Sequence, residues 1–144
     1  LRAAGWKIWR IDAEMAMHDA AMTKFSQYWK RSRRGGHAYA EGAAIHGAPP
    51  ERHGVAGTRR ALIWGLGIPT LSLVAALLFG SWGLALLLVY PAQIIRIGIR
   101  DGGTRFAWSR AFLYSIARFA ESWGVLEYYL KARYGRGGRL IEYK

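Results

Sequence analysis

The feature that most constrains this chain is an uninterrupted apolar run. Residues 61–79 carry no charged side chain over 19 positions, and spanning the hydrocarbon core of a bilayer takes about 20 apolar residues. A second apolar stretch, "LALLLVYPAQII", follows the glycine-containing segment "GSWG" (residues 80–83) and ends before Arg96. Two apolar helices joined by a four-residue turn predict an antiparallel transmembrane hairpin over residues 59–100.

Positive charge lies only at the ends of this predicted hairpin. Since basic residues stay on the cytoplasmic side of a membrane, both ends and both termini are expected to face the cytoplasm. The second stretch offers only about 12–16 usable residues, so a re-entrant hairpin is an alternative. A buried hairpin of a soluble protein is the other alternative, although a small domain rarely hides so long a charge-free run. The charged residues at the hairpin ends are Arg59, Arg60, Arg96 and Arg100.

Pro69 and Pro91 interrupt the two apolar stretches. Proline removes a backbone donor and kinks a helix. Packed membrane helices tolerate such kinks, so both prolines are compatible with the hairpin.

The segment before the hairpin, residues 1–58, mixes polar and apolar residues. Apolar and polar positions alternate up to His18, which predicts a half-buried strand. Residues of about 21–46 favour a helix that Gly35 and Gly36 break or kink, and "GAPPERHG" (residues 47–54) predicts a loop. The opening "LRAAGWKIWR" lacks a signal-peptide pattern and is expected to be a cut through a longer domain. The alternating apolar residues are Trp9, Ile11, Ala13, Met15 and Met17.

Residues 101–144 combine aromatic residues with arginine and predict one or two amphipathic helices followed by a flexible basic tail. Such helices lie on an anionic leaflet or pack against a cytoplasmic domain, and both are compatible with the pattern. The net charge of +12 suits a nucleic acid, an anionic membrane surface or a phosphate-rich substrate, and anionic membrane lipids are the expected partner. Nucleic acid is not an expected partner, because the basic residues cluster beside the apolar segments. The chain has no cysteine, which excludes disulfides and thiolate metal sites.

Few residues have a pattern that indicates chemistry. The pair His18-Asp19 follows the predicted strand and could ligate a cation or act as an acid and base, or be an ordinary loop pair. The basic run from Lys30 to Arg34 could clamp phosphates, anchor lipid head groups or be a solvated face. His37, with Tyr39 and Glu41, could line a sugar or diphosphate pocket. His46 and His53 have no metal-site spacing.

The segment "LRAAGWKIWRIDAEMAMHDAAMTKFSQYWKRSRRGGHAYAEG" resembles the end of the catalytic domain in bacterial family 2 glycosyltransferases. The hairpin and "LIEYK" resemble the C-terminal membrane region of a membrane-anchored branch. "LRAAGW" resembles the segment after the acidic catalytic motif, and "HDA" the position where a histidine completes the metal site. "QYWKR" loosely resembles the Gln-x-x-Arg-Trp motif of processive members. Gln27 matches that motif, whereas Lys30 and Arg31 replace its arginine and tryptophan, so processive synthesis is not expected.

This resemblance implies sugar transfer from a nucleotide-sugar donor whose diphosphate binds Mg²⁺ or Mn²⁺. The nucleotide-binding strands, the Asp-x-Asp motif and the catalytic base would all precede Leu1. The resemblance therefore implies no catalytic residue in this chain and no activity of the chain alone. It implies His18 as a metal ligand and Arg31 and Arg34 as diphosphate contacts. The residues expected to line an acceptor site or pocket are Gln27, Trp29 and His37.

The expected fold is thus a mainly α membrane protein of the bacterial inner membrane. A remnant of an α/β (GT-A-like) domain, made of a strand and a helix, precedes a transmembrane hairpin and amphipathic interfacial helices. A rival hypothesis is a non-enzymatic subunit of a larger membrane complex, since small residues permit close helix packing. Those small residues are Gly65, Gly67, Ala75, Ala76 and Gly80.

Overall fold

A helical hairpin and the helices around its base make up the described part of the chain. A computed structural model describes residue 5 and residues 22–135. Residues 22–135 contain no strand, so the prediction of a mainly helical protein is confirmed there; the predicted strand ending near His18 lies outside the described residues. The helices are α1 (Phe25–His46), α2 (Val55–Leu62), α3 (Ile68–Phe79), α4 (Val89–Arg100) and α5 (Arg105–Arg133), with a π-helical turn (Ile63–Gly67) before α3 and a 3-10 helix (Gly80–Leu88) before α4.

The helical run from α2 to α4, called the apolar hairpin below, reverses direction at Gly80. Gly80 has φ +74° and ψ −165°, a conformation that glycine adopts without a steric penalty. The hydroxyl group of Ser72 donates a hydrogen bond of 3.0 Å to the carbonyl oxygen of Gly83, and the Tyr90 hydroxyl donates to the carbonyl of Trp64. These contacts join an antiparallel pair of arms. The predicted four-residue turn is wrong in extent, because one glycine reverses the chain and the 3-10 helix begins there.

Each proline of the hairpin lies where the helix type changes. Pro69 is in the first turn of α3, directly after the π-helical turn, and Pro91 is in the first turn of α4, directly after the 3-10 helix. Proline has no N–H to donate to the carbonyl four residues earlier. The regular α-helical ladder therefore cannot run through either position.

The 3-10 helix lengthens the second arm. It rises about 2.0 Å per residue, against about 1.5 Å for an α-helix. The charge-free residues 80–95 consequently extend over about 28 Å. Residues 61–79 of the first arm cover about the same length. The two arms are matched although their apolar stretches differ in residue number.

The far end of the hairpin stands apart from the rest of the protein. Helix α5 packs against α1, α2, α4 and the π-helical turn. By contrast, α3 and the 3-10 helix, together the hairpin tip (residues 68–88), contact only each other, the π-helical turn and α4 among the described elements. The side chains of Leu77, Phe79 and Trp82 are 78%, 74% and 85% exposed. The tip is therefore a two-helix projection with an apolar surface.

Helices α1 and α5 approach each other through glycines. A side chain at Gly36 would overlap the backbone of Glu121, whose Cα lies 2.6 Å from the Cβ position. A side chain at Gly124 would lie 2.8 Å from the backbone nitrogen of His37. Helix α1 continues through Gly35 and Gly36, so the predicted break is wrong, whereas the alternative of a kink stays a prediction. Gly36 serves the close packing of α1 on α5.

Small residues fill the interior, whereas large apolar side chains lie outside. The largest fully buried side chain in residues 22–135 is that of Val125. A water-soluble domain buries leucine, isoleucine and phenylalanine in its core, while membrane helices pack through glycine, alanine and serine. The buried residues are Gly36, Ala40, Gly57, Thr58, Ala61, Ser72, Gly83, Gly98, Ala107, Ala111, Ala117, Ala120, Ser122, Gly124 and Val125.

Candidate functional site

A polar cavity lies at the base of the hairpin, between α2, α4 and α5. Its volume is about 260 Å³. Three of its lining residues are arginines from three different helices, and we call it the arginine pocket. The lining residues are Arg60, Trp64, Gln93, Ile97, Arg100, Tyr114, Ser115 and Arg118.

The hairpin itself brings two of these arginines together. Arg60 is in the last turn of α2 and Arg100 is the last residue of α4, so reversal of the chain returns the second arm to the level of the first. Aromatic rings lie on the hairpin side of the pocket: the ring of Tyr90 is 6.0 Å from that of Trp64 and 5.4 Å from that of Phe119. The pocket therefore lies between these rings and the charged base.

Arg118 is held by a carboxylate of its own helix. Its guanidinium group contacts Glu121 at 2.6 Å, and the Glu121 side chain is only 12% exposed. Burial raises the pKa of Glu121, and this effect outweighs the opposing influence of Arg118 and Arg60. The Glu121 carboxylate thus orients Arg118, but its negative charge is costly to maintain.

Arg100 is held in a similar way by Asp101. The two side chains are 3.0 Å apart, and Asp101 also accepts a 2.6 Å contact from Arg110. The hydrogen bond from Arg100, followed by that from Arg110, lowers the pKa of Asp101. Asp101 therefore stays negatively charged near neutral pH.

The pocket carries an excess of positive charge. Arg60 forms no ion pair within residues 22–135. Counting Arg110, four guanidinium groups are matched by only two carboxylates, those of Asp101 and Glu121. Two positive charges are left over.

Uncharged hydrogen-bonding groups complete the lining. The side chains of Gln93 and Tyr114 form no hydrogen bond within residues 22–135. The Ser115 hydroxyl donates to the carbonyl of Ala111 at 3.1 Å. The amide and the phenol can therefore donate to a molecule in the pocket.

Two of the predicted pocket residues lie at the start of α1. The side-chain oxygen of Gln27 accepts hydrogen bonds from the backbone nitrogens of Thr23 and Lys24, at 3.1 and 3.0 Å. Gln27, the third residue of α1, thus bonds the backbone N–H of the N-cap residue Lys24, as the third residue of a capping box does. Trp29 is half-buried, with its ring 6.2 Å from that of Phe25. Neither residue lines the arginine pocket.

The other predicted site residues of α1 are also spread out. Arg31 and Arg34 are exposed and do not line the arginine pocket. His37 is half-buried, and its ring meets that of Tyr128 edge-on at 5.3 Å. His18 lies outside the described residues. Within residues 22–135 no group of three or more potential metal ligands occurs.

No protein-family model, curated protein or solved structure matches this chain. Sequence reasoning missed the arginine pocket, because Arg60, Arg100 and Arg118 are far apart in the chain. The one available signal was the hairpin, which predicts that residues near 60 and 100 meet.

Proposed function

We propose that this chain is a membrane anchor whose hairpin enters the bacterial inner membrane from the cytoplasmic side. The observation that carries this proposal is the helical run Val55–Arg100, which is long and apolar enough to cross a membrane. Only 11% of its most apolar window is buried inside the protein. A core helix of a soluble protein would be mostly buried, so the exposure of this apolar surface favours a membrane environment.

The hairpin tip supports the same proposal. It exposes leucine, phenylalanine and tryptophan side chains on a projection that no other described helix covers. Leaving one such side chain in water instead of burying it costs about 1.5–3 kcal/mol. A lipid environment removes this cost for the whole tip at once.

The matched arms support a hairpin that crosses the membrane. Each charge-free arm extends over about 28 Å, against about 30 Å for the hydrocarbon core. Gly80, Ser81 and Trp82 would then lie at the far interface, where tryptophan is enriched. In the re-entrant alternative, the same three residues would end inside the hydrocarbon.

Cysteine labelling tests the proposal, since the chain has no native cysteine. Ser81→Cys places a thiol at the turn of the hairpin, and Glu51→Cys places a control thiol in the exposed loop before α2. We expect a membrane-impermeant maleimide to label Ser81→Cys in intact spheroplasts. Glu51→Cys should react only in inverted vesicles.

Other labelling results have definite meanings. Protection of Ser81→Cys from both sides would favour the re-entrant hairpin. Release of the protein into the aqueous phase by alkaline carbonate would refute the membrane anchor. Labelling of both thiols from the same side would refute the crossing hairpin.

At the level of activity, we propose that the chain is the C-terminal part of a membrane-bound family 2 glycosyltransferase. The resemblance supports this proposal, because it covers essentially the whole chain. Helix α1 packs on α2 and α5, so a catalytic domain preceding it would be held beside the base of the hairpin. Such a domain would supply the nucleotide-sugar site and its Mg²⁺ or Mn²⁺, with His18 as a ligand.

The reading frame upstream of the codon for Leu1 tests this assignment. We expect an Asp-x-Asp stretch and an acidic motif before "LRAAGW", and metal-dependent sugar transfer by the full-length product. An upstream sequence without these motifs would refute an intact enzyme.

A second candidate is a non-enzymatic subunit of a larger membrane complex. The observation that favours it is one face of α5, where Phe112, Trp123 and Leu130 are each more than half exposed. Such an apolar row suits a protein partner as well as lipid. Purification in mild detergent with a partner at fixed stoichiometry would support this candidate, and turnover of nucleotide-sugar by the isolated full-length protein would refute it.

A further inference from the structure

We propose that the arginine pocket binds the phosphate or diphosphate group of an anionic ligand. The inference goes beyond membrane anchoring and concerns residues to which the family resemblance assigns no role. It depends on the pocket alone, and only the lipid version of the ligand rests on the proposed membrane insertion.

Three guanidinium groups converge on the arginine pocket. Arg60, Arg100 and Arg118 reach one cavity from three separate helices. Guanidinium groups pair with phosphate oxygens through two parallel hydrogen bonds. Arg100 and Arg118 are already oriented by Asp101 and Glu121, whereas Arg60 has no ion-pair partner within residues 22–135. An incoming phosphate would supply that partner.

The size of the arginine pocket suits a phosphate or diphosphate group. The cavity of about 260 Å³ is smaller than the roughly 300–1,000 Å³ of pockets that hold drug-sized ligands. A whole nucleotide-sugar would not fit, whereas a phosphate or diphosphate group would. Gln93 and Tyr114 offer uncharged donors for the remaining oxygens.

The position of the arginine pocket gives access to phosphates from lipid and from solution. The pocket lies where the charged base of the hairpin meets its charge-free arms, which is the head-group level in the proposed membrane orientation. A phosphate carried by a lipid and a soluble phosphate or diphosphate could both reach it. These two sources have the same binding chemistry and are separated by experiment.

The test uses the whole chain, purified in an uncharged detergent, and calorimetric titration with inorganic pyrophosphate. We expect saturable binding that Arg60→Gln weakens by roughly tenfold or more, as expected for loss of a charge-assisted hydrogen bond. Arg60→Lys should retain part of the affinity. Arg59→Gln is the matched control, since it removes the same charge from the adjacent position, which lines a separate apolar groove, and it should bind like the wild type.

A second arm of the test uses nanodiscs of phosphatidylcholine with a small fraction of phosphatidic acid. Enrichment of phosphatidic acid on the extracted wild-type protein, lost in Arg60→Gln and competed by pyrophosphate, would identify a lipid phosphate as the ligand. Pyrophosphate binding without such enrichment would identify a soluble ligand.

The inference is overturned if neither probe binds, or if Arg59→Gln and Arg60→Gln weaken binding equally. Circular dichroism and gel filtration of each variant exclude misfolding as the cause of a loss. Failure of the pyrophosphate titration leaves the cysteine labelling result unaffected, so the two proposals fail separately.

Discussion

The hydroxyl group of Ser72 donates a hydrogen bond of 3.0 Å to the carbonyl oxygen of Gly83, across the two arms of the hairpin. Both residues are buried, although most residues around them are exposed. The absence of a side chain at Gly83 is what lets the arms approach closely enough for this bond. At the hairpin tip, the two arms are therefore held together by one hydrogen bond and by close packing of their backbones.

Replacing Ser72 with alanine should weaken the packing of the two arms and lower the free energy of unfolding. We expect a loss of about 0.5–1.5 kcal/mol, the usual net value of one hydrogen bond, with membrane examples near the lower end. The measurement is the free energy of unfolding as dodecyl sulfate is added to a mild detergent, followed by tryptophan fluorescence. Ser81→Ala is the control, because Ser81 is exposed and should have no effect. Equal losses in both variants would contradict the role of the bond.

Replacing Gly83 with alanine should have a larger effect than replacing Ser72. The new methyl group would lie 2.6 Å from the Cα of Ala76, and such overpacking typically costs about 1–3 kcal/mol. Gly67→Ala is the matched control in the same hairpin, since the nearest atom to its Cβ position is the Leu62 carbonyl oxygen at 3.5 Å. The same unfolding measurement should separate the two variants. A Gly83→Ala protein as stable as Gly67→Ala would mean that the arms are not in contact.

Alanine substitutions at the adjacent glycines of α1 should change the free energy of unfolding in opposite directions. Gly36→Ala would force the backbone of Glu121 away and should lose about 1–3 kcal/mol. A side chain at Gly35 meets no atom within 4 Å, so Gly35→Ala should gain up to about 1 kcal/mol from helix propensity. Unfolding of the two variants in detergent tests this. Equal effects would argue against the α1–α5 contact.

The ion pair of Arg33 with Glu127 should make the stability of the protein depend on acidity. Burial alone would raise the pKa of Glu127, but hydrogen bonds from Lys131 and Arg33 lower it below the ordinary 4.5. The ion pair therefore stabilises the folded protein fully above about pH 4.5, the ordinary pKa of glutamate. This stabilisation disappears as the pH falls through the lower pKa that Glu127 has in the folded state. It should not exceed about 1 kcal/mol, because the Arg33 side chain is 42% exposed and exposed pairs are weak.

Unfolding from pH 7 to pH 3 measures this effect as the difference between wild type and Glu127→Gln. The difference should shrink across the acidic part of the range. Glu51→Gln is the control, since Glu51 lies in an exposed loop and forms no ion pair in the described part of the chain. A difference that stays constant with pH would show that the charge of Glu127 is not the cause.

The helical hairpin could be predicted from sequence because it depends on a one-dimensional property, the length of a charge-free run. The extent of its turn could not, since "GSWG" has the composition of a loop and the 3-10 helix through it is set by packing against α3. The predicted break at Gly35 and Gly36 failed for a related reason. Helix propensity treats glycine as a defect, whereas Gly36 is required by the approach of α5.

The arginine pocket could not be predicted, because its charged residues come together only after the hairpin closes. Arg60 and Arg100 already had an explanation in membrane topology, and Arg118 lies in a helix that the sequence indicates only as amphipathic. The predicted site residues share the segment that carries the family resemblance. In the described structure Gln27 caps a helix and His37 packs on Tyr128, roles that no motif indicates.

The small-residue interior reverses the usual pattern of mutational tolerance. In most proteins, the interior is constrained by large side chains that cannot shrink, and the surface varies freely between polar residues. Here the interior positions cannot grow, because each methyl group added at Gly36, Gly83 or Gly124 meets backbone. The outer positions need only remain apolar and can exchange among leucine, valine and phenylalanine. Natural selection on this chain should therefore act most strictly on its smallest residues.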